Sequence, residues 1–299
     1  MNASEPRTLL AVGETMAMIV PSEFTSVVDA ATFLVEAGGA ESNVATHVAS
    51  TGHQAVWFSR LGGDPLGHRV AQQLRSRGVD VSTVSWDDAR PTGVYVKNPG
   101  AGVTYYRRGS AASALSRSDA DDIDLAGVDV LHVSGITAAI SDTARAFLEQ
   151  LMRRARTAGV RISFDVNHRL PLWDATTAAP VLLALAQQAD TVFTGRDEAE
   201  ALWATATADD VRALLPDVDE LVVKDGDVGA TVFTGQERTF VPALVLDVLE
   251  PVGAGDAFAG GYLAALLSNA PTRDRLAAGH AFAARTLMSL TDTVEGSYA

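Results

Sequence analysis

The segment Pro251-Val252-Gly253-Ala254-Gly255-Asp256-Ala257-Phe258 runs directly into an apolar stretch from Gly260 to Leu267. This pattern predicts a small-residue turn followed by a helix. The first backbone N–H groups of a helix have no partner within it, and they lie at the positive end of the helix dipole. Because Gly253, Ala254 and Gly255 have almost no side chains, a ligand can approach these N–H groups closely. The turn therefore predicts an anion-binding site suited to phosphate oxygens.

Asp256 stands in the middle of this predicted anion site, where its carboxylate would repel a phosphate. One function that fits is to orient and deprotonate an attacking hydroxyl while the N–H groups of residues 253–255 hold the transferring phosphoryl group. We therefore take Asp256 as the candidate catalytic base, with Gly253, Ala254 and Gly255 beside it. The alternative is an ordinary helix start in which Asp256 is only a capping residue.

The composition excludes several classes of protein. The 299 residues have a formal net charge of −14, which argues against a nucleic-acid partner or an anionic membrane surface, since both need a basic face. The chain has no cysteine, so disulfides and thiolate chemistry are excluded. No apolar run approaches the roughly 20 residues that span a bilayer. We expect a cytoplasmic protein with no membrane partner.

Strand and helix patterns alternate regularly from residue 128 onward. Strands are expected at 128–134, 160–166, 191–194 and 221–224, and helices near 141–158, 176–189, 197–204 and 208–215. Thr8–Val12 reads as a buried first strand, and Thr272–Leu290 as a final helix. This alternation predicts an α/β fold with a mainly parallel sheet covered on both faces. No linker composition interrupts it, so we expect one domain over residues 1–299.

Two segments fit the main sheet less well, residues 14–36 and residues 86–108. The second contains two strand-like runs joined by Asn98-Pro99-Gly100-Ala101-Gly102, which predicts a hairpin. Period-2 alternation places Val103, Tyr105 and Arg107 on one face of it. We predict that both segments form a small β lid.

Two further stretches carry candidate ligand contacts. Gly38-Gly39-Ala40-Glu41-Ser42-Asn43 opens a predicted helix, and bare backbone at Gly38 and Gly39 would let ligand hydroxyls approach. The alternative there is an ordinary loop. Asp165-Val166-Asn167-His168-Arg169 follows an apolar strand, at the end where doubly wound sheets gather their ligands. The alternative for this second stretch is a capped loop with a surface salt bridge.

Residues 38–45 and 253–258 resemble, in this order and at this spacing, the two signatures of the ribokinase-like sugar kinases, the PfkB family. The resemblance covers nearly the whole chain. It implies a ribokinase-like three-layer α/β/α sandwich with a small β lid, and ATP-dependent phosphorylation of a sugar with Mg²⁺. It also allows contacts between copies of the chain through the lid.

Residues 105–113, 133–137 and 165–173 are similar to stretches of the 2-keto-3-deoxygluconate kinases, a group within this family. This similarity implies a sugar-acid substrate, 2-dehydro-3-deoxy-D-gluconate, converted to its 6-phosphate. Two arginines suit a carboxylate, which a guanidinium binds through two parallel charge-assisted hydrogen bonds. The substrate contacts expected from the resemblance are Gly38, Gly39, Asn43, Tyr95, Tyr105, Arg107, Ile136, Arg169 and Asp256.

The same resemblance implies a nucleotide site. Its expected residues are Asp165, Asn167, Lys224, Gly226, Gly229, Gly253, Gly255 and His280. Glu198 matches the acid of the family's Asn-x-x-Glu motif, which helps to place hydrated Mg²⁺, although the Asn position of that motif is Gly195 here. Glu250 and Val252 replace the Asp and Thr common in members activated by a monovalent cation, so a potassium site is in doubt. For His280, simple packing is the alternative, and for Tyr95 the alternative is packing of the hairpin.

Two alternative functions stay open at this stage. One is a fructokinase or another neutral-sugar kinase of the same family. The other is a non-catalytic binding protein on the kinase scaffold, suggested by Gly195, Glu250 and Val252 and opposed by the intact Gly-Ala-Gly-Asp. A dinucleotide-dependent dehydrogenase is excluded because no G-x-G-x-x-G follows the first strand.

Overall fold

Strand β1 (Thr8–Val12) is apolar on both faces, and each face meets a different hydrophobic core. The computed structural model describes residues 5–246, 248–249 and 251–289. In it, Leu9 and Ala11 pack into one core, and Leu10 and Val12 pack into the other. Successive side chains of a strand point to opposite faces, so a strand that is apolar throughout must be covered on both sides.

The other strands and the helices have the following bounds. The strands are β2 (Met16–Pro21), β3 (Phe33–Gly38), β4 (Gln54–Phe58), β5 (Arg60–Gly62), β6 (Ser85–Asp87), β7 (Val94–Asn98), β8 (Gly102–Tyr106), β9 (Val130–Ser134), β10 (Arg161–Asp165), β11 (Thr191–Gly195), β12 (Glu220–Asp225), β13 (Gly229–Thr234) and β14 (Glu237–Pro242). The helices are α1 (Ala40–Ala49), α2 (Pro65–Ser76), α3 (Arg117–Asp122), α4 (Gly135–Ile140), α5 (Asp142–Ala158), α6 (Ala175–Ala186), α7 (Arg196–Trp203), α8 (Ala208–Leu214), α9 (Ala254–Leu267) and α10 (Thr272–Leu287).

The central sheet has the strand order β14-β13-β12-β11-β10-β9-β1-β4. Neighbouring strands from β12 to β4 are parallel, and β13 and β14 extend the sheet as antiparallel strands. Helices α1, α2, α9 and α10 contribute to the core on one face, and helices α3 to α8 contribute to the core on the other. The predicted three-layer α/β/α arrangement with a mainly parallel sheet is confirmed. Among the described residues, no helix combines the length and the hydropathy that crossing a bilayer requires.

A second sheet of four strands, in the order β3-β2-β7-β8, takes its strands from the two segments expected to form a lid. The predicted hairpin is β7 paired antiparallel with β8. Val103, Tyr105 and Arg107 are half-buried, whereas Thr104 and Tyr106 are exposed, which is the predicted alternation.

The parallel strands bring the ends of five segments to one edge of the central sheet. Asp165 at the end of β10 is in register with Ser134 at the end of β9, and Gly195 of β11 is in register with Lys224 of β12. The turn after β1 joins the same edge. This carboxyl edge is where a doubly wound sheet binds its ligands.

Candidate active site

Helix α9 begins at the glycine-rich turn, and it has no side-chain cap. Gly253 is the N-cap residue, and its φ of +88° lies in the left-handed region, where glycine is favoured over residues with a Cβ. A Cβ added at Gly255 would have the Lys224 Nζ, at 3.5 Å, as its nearest neighbour outside the helix. The turn therefore leaves an uncapped helix N-terminus beside a lysine, and both features favour an anion.

Asp256 lies in the first turn of α9 and contacts helix α1. The Asn43 Nδ2 donates a hydrogen bond of 2.9 Å to the Asp256 Oδ2. Asn43 is buried in the first turn of α1, so this bond joins the two signature segments across 213 residues of sequence. Asp256 is thus oriented by a fixed amide donor.

Gly38 and Gly39 are required by close packing of the protein on itself. A Cβ at Gly38 would collide with the Tyr95 hydroxyl, and one at Gly39 would lie 2.5 Å from the Glu14 carbonyl oxygen. Neither glycine lines the main cleft. Contact of their backbone with a sugar stays a prediction.

Lys224 and Asp165 form an ion pair at the carboxyl edge, with 3.0 Å between the lysine Nζ and the Asp165 Oδ2. Burial alone would lower the pKa of Lys224, but the carboxylates of Asp165 and Glu198 outweigh it, and its pKa is raised. Lys224 therefore stays charged beside the N-terminus of α9. A permanent cation here suits phosphate oxygens.

Glu198 is held by the backbone around it. Its Oε1 accepts from the His168 N–H at 2.5 Å, and its Oε2 accepts from the Gly195 N–H and the Thr194 hydroxyl, each at 3.1 Å. Burial, and then the Asp165 carboxylate, raise the pKa of Glu198. Because protein donors already occupy both oxygens, Glu198 suits a metal held through water better than a directly bound one. Among the described residues, no three His, Cys, Asp or Glu side chains are grouped to hold a metal.

Gly195, the departure from the family motif, is the N-cap of α7. Glu198 accepts its N–H and so caps the helix from within. A glycine at this position lacks the amide side chain of the family motif, but the acid of the motif is present, and the N–H groups of Gly195 and His168 hold it in place. Glu250 and Val252 are the two residues that put a potassium site in doubt. The Val252 side chain has no oxygen that could bind the ion, and Glu250 lies outside the described residues.

A cleft of about 830 Å³ opens at this edge of the sheet. It brings together most of the residues expected from the sequence, with an apolar wall at 243–246. Those that line it are Tyr105, Asp165, Asn167, Arg169, Glu198, Lys224, Gly226, Gly229, Gly253, Ala254, Gly255, Asp256 and His280. Those that do not are Gly38, Gly39, Asn43, Tyr95, Arg107 and Ile136.

His280 lines the cleft but is also packed. Its Nε2 lies 3.1 Å from the Val241 carbonyl oxygen, and its ring meets the Phe258 ring edge-on at 5.1 Å. Burial lowers its pKa. The His280 imidazole therefore lines the cleft as a neutral ring. This is compatible with simple packing and also with an adenine ring beside it.

The two candidate carboxylate-binding arginines have different surroundings. Arg169 is exposed in the cleft, and its Nη1 donates a hydrogen bond of 3.2 Å to the His168 carbonyl oxygen. It has no carboxylate partner among the described residues. Arg107 forms a buried ion pair with Glu14, whose Oε1 also accepts from the Ser110 hydroxyl at 2.5 Å. The Arg107 Nε is buried and has no hydrogen-bond partner among the described residues.

Glu14 and Glu41 lie close to the site without lining the cleft, and the sequence assigned no role to either. Both are buried acids, Glu14 just after β1 and Glu41 in the first turn of α1. A charge directly after a buried strand was a usable signal for Glu14. Nothing local marks Glu41, since an acid in the first turn of a helix is ordinary.

An uncapped helix N-terminus, a charged lysine and an oriented carboxylate at the edge of a parallel α/β sheet define an enzyme that transfers phosphoryl groups. The sequence profile of the pfkB family carbohydrate kinases matches residues 7–292, and the chain belongs to this family. It is therefore a kinase.

Curated relatives refine the comparison. A 2-dehydro-3-deoxygluconokinase of Bacillus subtilis is 37% identical over 91% of this chain and 87% of its own length. A 2-dehydro-3-deoxygalactonokinase of Haloferax volcanii is 33% identical, covering 97% and 92%. A probable fructokinase-3 of Arabidopsis thaliana is 30% identical, covering 88% and 78%. The fructokinase is thus more distant than the two sugar-acid kinases.

Solved structures agree on the fold. A PfkB protein from Polaromonas sp. JS666 has a TM-score of 0.85 and 31% identity, covering 96% of this chain and 97% of its own. A putative Ribokinase II from E. coli in complex with ATP and Mg²⁺ has a TM-score of 0.86, covering 96% and 94%. The latter is 21% identical, so its likeness shows the fold alone.

Proposed function

We propose that this kinase transfers a phosphoryl group from ATP to a terminal hydroxyl of a sugar acid, 2-dehydro-3-deoxy-D-gluconate, giving the 6-phosphate. The observation that carries the proposal is Arg169, which has no carboxylate partner among the described residues and lies in the cleft that also contains Asp256. A guanidinium binds a carboxylate through paired charge-assisted hydrogen bonds. The names of the more similar relatives support the same substrate class.

The neutral-sugar alternative is less well supported. Fructose carries no carboxylate, so a neutral-sugar substrate would leave the Arg169 guanidinium without a charged partner. Arg107 does not line the cleft, and its charge is offset by Glu14. Arg169 therefore supplies the net positive charge that a single carboxylate requires.

In the proposed reaction, Asp256 accepts the proton of the attacking hydroxyl. A helix N-terminus favours the ionised form of a carboxylate, so Asp256 is a weak base, but a loose phosphoryl-transfer transition state depends on orientation more than on basicity. Asn43 fixes that orientation through its bond to the Asp256 Oδ2. The N-terminus of α9 and Lys224 stabilise the negative charge of the transferred group.

The cleft fits ATP and hydrated Mg²⁺ on the basis of its own residues. Gly226, Gly229, Gly253 and Gly255 line it without side chains, and residues 243–246 form an apolar wall for a base. Bound ATP would supply the phosphoryl group, and Glu198 would hold a hydrated Mg²⁺ through water. The need for ATP also supports the proposed cytoplasmic location, which cell fractionation tests.

The outer side of the second sheet supports the proposed contact between copies of the chain. Several large apolar side chains are exposed there or in the adjoining turn, and exposed apolar patches mark interaction surfaces. They are Phe24, Val28, Phe33 and Tyr106. Sedimentation at several protein concentrations tests this proposal, and a monomer throughout would contradict it.

The reaction is tested by assaying phosphoryl transfer with Asp256→Asn beside the native chain. We expect the variant to lose turnover by roughly 10²- to 10⁴-fold, the usual contribution of a positioned base, because Asn cannot accept the proton. The substituted amide oxygen can still accept from Asn43, so nucleotide affinity should be retained as the control. Near-native turnover in the variant would contradict the role of Asp256.

A further inference from the structure

Glu41 is a buried acid that the proposed reaction does not use. Its side chain is 0% exposed. The Oε1 accepts from the Ser134 hydroxyl at 2.6 Å and from the Thr137 hydroxyl at 3.3 Å. The Oε2 is buried with no hydrogen-bond partner among the described residues, and no cation is paired with it there. Such a group is costly to bury, so its retention calls for an explanation.

The position of Glu41 connects three parts of the site. It lies in the first turn of α1, two residues before Asn43, which donates to Asp256. Its carboxyl group binds the turn at the start of α4, which includes the predicted substrate contact Ile136. It also fills the space left by Gly13 after β1, because a Cβ there would collide with the carboxylate.

We infer that Glu41 is a positioning residue that holds the first turns of α1 and α4 together, so that Asn43 stays on Asp256. The inference rests on the proposed role of Asp256 as the base. Glu41 does not line the cleft, so it acts through Asn43 and the α4 turn and not by touching the substrate.

The surroundings of Glu41 favour the neutral form. Burial raises its pKa to about 7, and the Asp256 carboxylate on α9 adds to this, while the hydroxyls of Ser134 and Thr137 act in the opposite direction. Among the described residues, Asp256 is the charged group that acts on it; β9 and α4 contribute hydroxyls and β1 contributes Gly13. Ionisation would place an unpaired second charge beside Asp256 and open the first turn of α1 to water.

The test is the pH dependence of kcat/KM, which reports ionisations of the free enzyme. We expect native kcat/KM to fall above pH 7 by about tenfold per pH unit, the limit for one essential proton. Glu41→Gln, which keeps the shape and cannot ionise, should remove this fall while retaining activity below it. Glu41→Ala should lose activity at every pH, because no side chain then joins the two turns.

Thr137→Val provides a second variant, which leaves Glu41 itself unchanged and removes one of its hydrogen-bond donors. It removes one hydroxyl that stabilises the ionised form, so the fall should move to higher pH. Ionisations of the nucleotide or of Glu198 would affect the pH profile of every variant, so they can be told apart from the ionisation of Glu41. A fall that persists unchanged in Glu41→Gln, or no fall in the native chain, would overturn the inference. Absence of sugar phosphorylation by the native chain would instead contradict the proposed function. Denaturant unfolding at several pH values needs no substrate and would still report on the pKa of Glu41.

Discussion

At the scale of single residues, the site depends on charges that are buried and unequally compensated. Lys224 has three carboxylates near it, Arg107 has one, and Arg169 has none among the described residues, whereas Glu41 is hydrogen-bonded only by hydroxyls there. Uncompensated groups tend to be the ones that a ligand or a proton completes. Arg169 and Glu41 are therefore the residues where ligand binding and pH should act most strongly.

Glu41 should also make folding stability depend on pH. Its pKa is about 7 in the folded chain against an ordinary 4.5, so between these values the native state binds more protons than the unfolded state. Stability is then lost as pH rises through this window. Glu41→Gln lacks this loss, so its free energy of unfolding relative to the native chain should rise by about 3 kcal/mol across the window.

Denaturant unfolding at several pH values measures this difference without any substrate. Titrations shared by both chains cancel in the subtraction. A difference that is independent of pH would show that Glu41 titrates normally in the folded chain.

At the scale of elements, the contact between α1 and α9 positions the base. It is close because Gly260 of α9 faces His47 and Val44 of α1: an added Cβ would lie 2.6 Å from the His47 Cβ and 3.3 Å from the Val44 carbonyl oxygen. Asn43 also belongs to α1, and its hydrogen bond to Asp256 crosses this contact.

Gly260→Ala should therefore push the two helices apart. Overpacking costs about 1–3 kcal/mol, which exceeds the gain of about 1 kcal/mol in helix propensity. We expect lower stability together with lower kcat. The matched control is Gly261→Ala, whose Cβ would lie 2.7 Å from the Ala278 carbonyl oxygen of α10, so it overpacks α9 on the side of another helix. Equal effects of the two substitutions on stability and kcat would contradict this role of the α1–α9 contact.

The elements themselves were largely predictable from sequence, and the contacts between them were not. Apolar runs and glycine stops predicted β1, β9 to β12 and α5 to within a few residues, because those signals are local. Helix α4 was missed because its six residues follow β9 without a break. Gly38 was interpreted as bare backbone for a ligand, whereas Tyr95, 57 positions later, supplies the packing reason. The Glu14–Arg107 pair likewise joins two distant segments.

At the scale of the whole molecule, the central sheet and the four-stranded sheet meet at the sugar end of the proposed site. The buried Glu14–Arg107 pair crosses between them, from the turn after β1 to the residue just beyond β8. Removing Arg107 would leave Glu14 buried without its partner, which costs stability for every substrate alike. Arg107 is therefore a poor probe of substrate choice. Arg169 forms no such ion pair among the described residues, so its substitution reports on the substrate more directly.

The most direct test of a sugar-acid kinase is the effect of Arg169→Ala on kcat/KM for 2-dehydro-3-deoxy-D-gluconate and for fructose, measured in parallel. A charge-assisted hydrogen bond contributes about 1.5–3 kcal/mol, so the acid should lose roughly 10- to 150-fold. Fructose has no carboxylate and should lose far less. If both substrates fall by the same factor, Arg169 does not bind a carboxylate, and the sugar-acid proposal is contradicted while the family assignment stands.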